Sequence, residues 1–158
     1  MKKILLGVCA AAVAGALALP VLAETPAEAV KLRQETMKKM GGHMKAIKGF
    51  AMDGQGTAED VAMRAGEITK IAATIPSLFP TGTSLDEVKD PKTGAKPDIW
   101  LERTKFEKAA ANLAVQSKAL AAAAAGGDKE AITAAFGNLG KNGCGNCHKP
   151  FRMKLDKK

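Results

Sequence analysis

Residues 144–152 read Cys-Gly-Asn-Cys-His-Lys-Pro-Phe-Arg, and the architecture of the whole chain can be worked out from that stretch. Two cysteines three residues apart with histidine next form the C-x-x-C-H signal for a c-type haem. The spacing has a chemical reason. On a helix the two thiols lie about one turn apart, so each can add to one vinyl group of a porphyrin and form a thioether. His148 then lies under the iron and supplies an imidazole nitrogen as the proximal ligand. A thioredoxin-like C-x-x-C would sit in a βαβ context, of which this chain has none. A structural zinc would need two more ligands, and His43 is the only other histidine. A plain disulfide would leave His148 without a role.

A haem tethered near the C-terminus needs a second helix over its other face, and the rest of the chain supplies helices. From Pro26 to about Lys48, Val30, Arg33, Met40 and Met44 fall within about 60° of Met37 on a helical wheel. Thr25, Pro26 and Glu28 make an N-cap, an N1 proline and a capping box. Gly41-Gly42 inside this helix costs roughly 1 kcal/mol per glycine relative to alanine, so something bulky is expected against the backbone there. Thr57 caps a second helix that ends at Pro76. Residues 76–97 hold four prolines and two glycines, a long connection of the kind that crosses over a bundle. Asp98 opens a third helix that fades into alanines before Gly126-Gly127. Asp128 caps a fourth that reaches about Leu155. The expected fold is all-α, an antiparallel four-helix bundle with a long crossover loop between helices 2 and 3.

Met1-Lys2-Lys3, an apolar run from Ile4 to Leu19 and Pro20-Val21-Leu22-Ala23 read as a signal peptide, residues 1–23, cleaved after Ala23. The run is shorter than the ~20 residues a spanning helix needs. The mature chain would be residues 24–158, exported to a periplasm, with Cys144 and Cys147 as its cysteines. Losing Lys2 and Lys3 lowers the formal net charge from +8 to +6. Aromatic residues make up only 4% of the 158, with no Tyr, which argues against an all-β sandwich. The basic excess includes Lys38, Lys39, Lys45, Lys154, Lys157 and Lys158, and suits acidic docking surfaces on redox partners. An exported chain without an aromatic–basic surface motif does not read as a nucleic-acid binder. Beyond the signal segment, no stretch is apolar enough for stable membrane insertion.

A terminal C-x-x-C-H-x-x-F-R, Ala29-Val30-Lys31-Leu32-Arg33-Gln34 and Pro97-Asp98-Ile99-Trp100 together resemble the cytochrome c′ family over nearly all of residues 27–154. The resemblance implies one covalent haem c per chain, held by Cys144, Cys147 and His148. It also implies that Arg33 and Gln34 lie near the haem propionates and edge. In high-spin members a non-coordinating residue, often Leu, stands four positions after that arginine. Here the position is Met37, so the chain resembles the low-spin cytochrome c-556 type, in which methionine there is the sixth ligand. Met40 and Met44 then line the pocket, His43 is a surface residue and Trp100 a core anchor.

Three functions follow as expectations. His148/Met37 ligation closes the iron and suits a one-electron carrier, because a thioether ligand raises the potential and no site is open to substrate. An iron without Met37 is five-coordinate and binds NO or CO. A disulfide-stapled module without haem is the third. No set of acid, base and nucleophile points to an enzyme. The sequence is compatible with a monomer or a homodimer.

Overall fold

The computed structural model describes residues 25–155. The expected signal segment and residues 156–158 lie outside it. Helix α1 spans Pro26–Asp53 and starts as its capping box requires. The Thr25 hydroxyl accepts from the Glu28 N–H at 3.2 Å, and the Thr25 N–H donates to the Glu28 carboxylate at 2.8 Å. The bonds that the Thr25 N–H and hydroxyl donate to the carboxylate hold the Glu28 carboxyl below its ordinary pKa. The helix runs past Lys48 to Gly54, whose φ of 68° forms the left-handed C-cap.

Helix α2 spans Ala58–Thr74, capped by Thr57, and a 3₁₀ turn at Ile75–Leu78 ends it at the prolines. The third helix is broken in two. Helix α3, Asp98–Leu101, stops at Glu102 (φ −112°, ψ 43°) before α4, Arg103–Ala125, begins. Trp100 Nε1 donates to the carbonyls of Phe79 (3.2 Å) and Pro80 (3.0 Å), and the Arg103 guanidinium donates to those of Phe79 and Pro76. These bonds pin the entry of α4 to the end of α2. After Gly126-Gly127, α5 spans Lys129–Asn138 from its Asp128 cap.

The fourth helix is also discontinuous. A π-helical turn, Leu139–Cys144, separates α5 from α6, Gly145–Phe151. Its hallmark is the Gly145 N–H donating to the Gly140 carbonyl, five residues back. Such an insertion advances all later side chains by about one residue's rotation. The turn fits because Gly143 is buried; a Cβ there would stand 3.0 Å from side-chain carbons of Leu113 and Leu139.

The connections at 54–57 and 126–128 are short, so their flanking helices are antiparallel neighbours. The result is the expected four-helix bundle. Its core includes Ile47 of α1, Ile68 of α2, Phe106 and Leu120 of α4, and Ile132 of α5. A chain of tilted rings, Phe79 to Phe106 at 4.8 Å and Phe106 to Phe151 at 5.4 Å, joins the crossover to the last helix. Among the described residues no helix is long and apolar enough to cross a membrane.

His43 departs from its expected place on the surface. Both ring nitrogens are buried and have no hydrogen-bond partner among the described residues, near Arg64 and Glu67 of α2 and Lys39 of its own helix. Desolvation first, then the Arg64 charge, lowers its pKa, with Glu67 opposing and Lys39 adding to the lowering. The unfolded chain therefore takes up a proton near pH 6.5 that the folded chain resists. Stability should be full above that range and fall as pH drops through it. Urea midpoints at about pH 7.5 and 5.5 check this, with the pH dependence flatter in His43→Leu than in the wild type.

Candidate functional site

The π turn and α6 carry three chemically matched side chains to one cavity. Cys144, Cys147 and His148 all border a space of about 890 Å³ between α1, the crossover and the C-terminal segment, a volume within the range of cofactor pockets. Burial raises the Cys144 thiol and pushes Cys147 up to about 11. A dithiol that works by exchange has a lowered pKa, so this pair has the wrong chemistry for a redox disulfide. Burial first, then the charge of Arg152, lowers the pKa of His148. The ring is thereby held neutral, the form in which imidazole ligates a metal. Among the described residues no three His, Cys, Asp or Glu side chains converge as a metal cluster.

Helix α1 lines the same cavity. Met37, Met40 and Met44 all border the cavity, Met40 buried and the other two half-buried. Gly41 borders it as well, and a Cβ built there meets nothing within 4 Å; the same is true of Gly42, which does not border it. No part of the described chain presses on either glycine, so the bulky neighbour expected there is not another helix of the described chain, and only Gly41 faces the cavity. Among the described residues the charged side chains bordering the space are Arg33, Lys38, Arg152 and Lys154, with no carboxylate. Apolar walls, two half-buried thiols, an imidazole whose neutral form is favoured and a cationic rim fit a flat apolar macrocycle that carries two carboxylates.

Arg33 is only 4% exposed and is partnered by the crossover loop. Its Nη2 donates to the Thr83 carbonyl at 2.9 Å and the Thr93 hydroxyl at 3.0 Å, its Nη1 to the Thr83 hydroxyl at 3.3 Å. Its guanidinium carbon stands 4.4 Å from the centre of the Phe79 ring. Burial depresses its pKa to about 10, and no carboxylate pairs with it among the described residues. Gln34 Nε2 donates to the Lys92 carbonyl at 2.8 Å. Both residues, expected at the cofactor's edge, thus also hold the loop onto α1, and both border the cavity as well.

The other end of that loop grips the segment behind His148, a contact the sequence did not announce. Met153 N–H donates to the Gly94 carbonyl (2.8 Å), Lys96 N–H to the Phe151 carbonyl (3.1 Å), and Ala95 bridges Arg152 antiparallel. Gly94 is the residue that permits it, since a Cβ there would lie 2.3 Å from the Met153 carbonyl oxygen. The loop is a strap that joins the distal helix to the proximal segment. The only advance sign was a glycine among prolines.

The family model for Cytochrome C′ matches residues 28–152. The chain is 33% identical over 128 residues to cytochrome c′ of Pararhodospirillum photometricum, covering 81% of this chain and 98% of that one. It is 31% identical over 145 residues to cytochrome c-556 of Rhodopseudomonas palustris, covering 90% and 95%. Most of the similar proteins are named cytochrome c′. Among solved structures, a cytochrome c′ described by its ligand-controlled dimer dissociation superposes with a TM-score of 0.73 at 32% identity, over 82% of this chain and 98% of that one. A nitric oxide complex of a point variant of cytochrome c prime from Alcaligenes xylosoxidans gives 0.69 at 27%, over 82% and 98%.

Proposed function

The chain belongs to the cytochrome c′ family, carries one covalent haem c at its Cys144–Cys147 motif, and, we propose, uses it as a one-electron carrier with His148 and Met37 as axial ligands. The observation that carries this reading is the position of Met37, a thioether on α1 that borders the same cavity as His148. Cys144 and Cys147 form the thioethers, and Arg33 and Gln34 stand toward the propionates. An iron with both axial positions filled changes oxidation state with little rearrangement, and the methionine raises its potential. The mature chain is residues 24–158 in a periplasm, after removal of residues 1–23. Its basic surface meets acidic faces of redox proteins. One similar cytochrome c′ is described by its ligand-controlled dimer dissociation, and this chain is read as a monomer or a homodimer.

A second reading differs at one bond. If the Met37 sulfur stays off the iron, the haem is five-coordinate and binds NO or CO. The names of most relatives and the nitric oxide complex of the Alcaligenes protein favour it. The Met37→Leu variant separates the two. The electron-carrier reading expects ferric EPR to change from low spin to high spin; identical high-spin spectra in wild type and variant would establish the gas-binding reading instead.

A further inference from the structure

Helix α6 has two faces. Cys147 and His148 border the large cavity. Asn146 and Lys149, three residues apart and so on one side of the helix, line a separate depression of about 290 Å³ against Lys105 and Ala109 of α4. The Lys149 chain lies over the attachment motif: a Cβ built on Gly145, between the two cysteines, would stand 3.8 Å from its Cε. On α4, Lys108 lies one turn after Lys105 and one turn before Asn112, whose Nδ2 donates to the Asn142 carbonyl of the π turn at 2.6 Å. That bond lays the flank of α4 that carries Lys105 and Lys108 alongside the segment that carries Lys141 and Lys149. Residues 131–155 hold Lys141, Lys149, Arg152 and Lys154 and not one Asp or Glu. Lys105 is paired with Glu102 at 2.6 Å, but Lys108, Lys141 and Lys149 are exposed and have no ion pair among the described residues. None of these three borders the large cavity, so their exposure does not depend on what fills it.

We infer that this flank of α4, the π turn and α6 is the electron-exchange surface, and that Lys108, Lys141 and Lys149 receive the acidic face of a redox protein there. Charge complementarity names the occupant: unpaired ammonium groups attract carboxylates and steer their approach. The motif beneath is where the chain is joined to the haem, so an electron entering here has only the outer side of α6 to cross. The lysines of α1 do not share this position. The inference rests on the electron-carrier reading and assigns the surface that serves it.

The probe is flavodoxin hydroquinone, an acidic one-electron donor, mixed with the ferric holoprotein in a stopped-flow instrument. One electron passes: the anionic hydroquinone becomes the neutral semiquinone, and ferric haem becomes ferrous. Free reduced riboflavin, which has no protein surface, is the reference, and the readout is the ratio of the two rates. At low ionic strength the ratio should fall about tenfold in Lys108→Glu/Lys149→Glu and stay within about twofold of wild type in Lys31→Glu/Lys48→Glu, which places the same charge change on α1. High salt should close the difference. Three results would overturn the inference: no fall in the first variant, an equal fall in both, or a wild type that sediments with phosphatidylglycerol vesicles while Lys108→Glu/Lys149→Glu does not, which would make the flank a lipid-contact surface. Failure of the carrier reading shows separately, as a high-spin spectrum that Met37→Leu leaves unaltered.

Discussion

Arg33→Ala is expected to lower folding stability by about 3 kcal/mol, because it removes several hydrogen bonds from one buried cation and leaves their acceptors behind. The Thr83 hydroxyl has a second bond, to the Pro80 carbonyl, and the Thr93 hydroxyl also accepts from the Ala95 N–H at 3.2 Å. The Thr83 carbonyl lacks such insurance among the side-chain bonds described and bears most of the loss. The contact of the guanidinium with Phe79 goes too. Arg33→Lys keeps the charge but not the planar fork that reaches Thr83 and Thr93 together, so it should recover only part of the loss. Urea unfolding of the holoprotein measures both. A cost within 0.5 kcal/mol for Arg33→Ala, the usual range for a surface change, would show that the strap is held by its other end.

Gly94→Ala tests that other end. The added methyl would lie 2.3 Å from the Met153 carbonyl oxygen, which is backbone and has no rotamer to escape into. The strap and the C-terminal segment must separate, breaking the Met153–Gly94 and Lys96–Phe151 hydrogen bonds. The expected loss is about 2–3 kcal/mol. The segment follows His148 directly, so the visible spectrum of the haem should shift as well. Gly137→Ala is the control: its Cβ meets nothing within 4 Å, and the added helix propensity should stabilise by up to about 1 kcal/mol. A Gly94→Ala protein as stable as the wild type would remove the strap from the account.

Much of this molecule is legible in its sequence because its signals are local. Thr25, Thr57 and Asp128 announce their helices through caps, and apolar periodicity names Ile47, Ile68, Phe106 and Ile132 as core. The C-x-x-C-H motif places three cofactor residues within five positions, across the π turn and the short helix that follows it. What stayed hidden depends on distant partners. The break at Glu102 follows from bonds between Trp100, Arg103 and the carbonyls at the end of α2, none of which has a sequence pattern. The π turn is written only as glycines, Gly140 and Gly143, whose meaning depends on Leu113 across the bundle. Arg33 was placed on the correct face, but its threonine partners lie 50 and 60 residues away in a loop without periodicity. His43 carries no pattern that distinguishes a surface ring from one whose nitrogens are buried between two helices.

The central claim is a bond between the Met37 sulfur and the iron, and the optical spectrum of the oxidised wild-type holoprotein tests it most directly. The account predicts a low-spin ferric spectrum with a sulfur-to-iron charge-transfer band. A high-spin spectrum without that band would contradict it and make the chain a five-coordinate, gas-binding cytochrome c′.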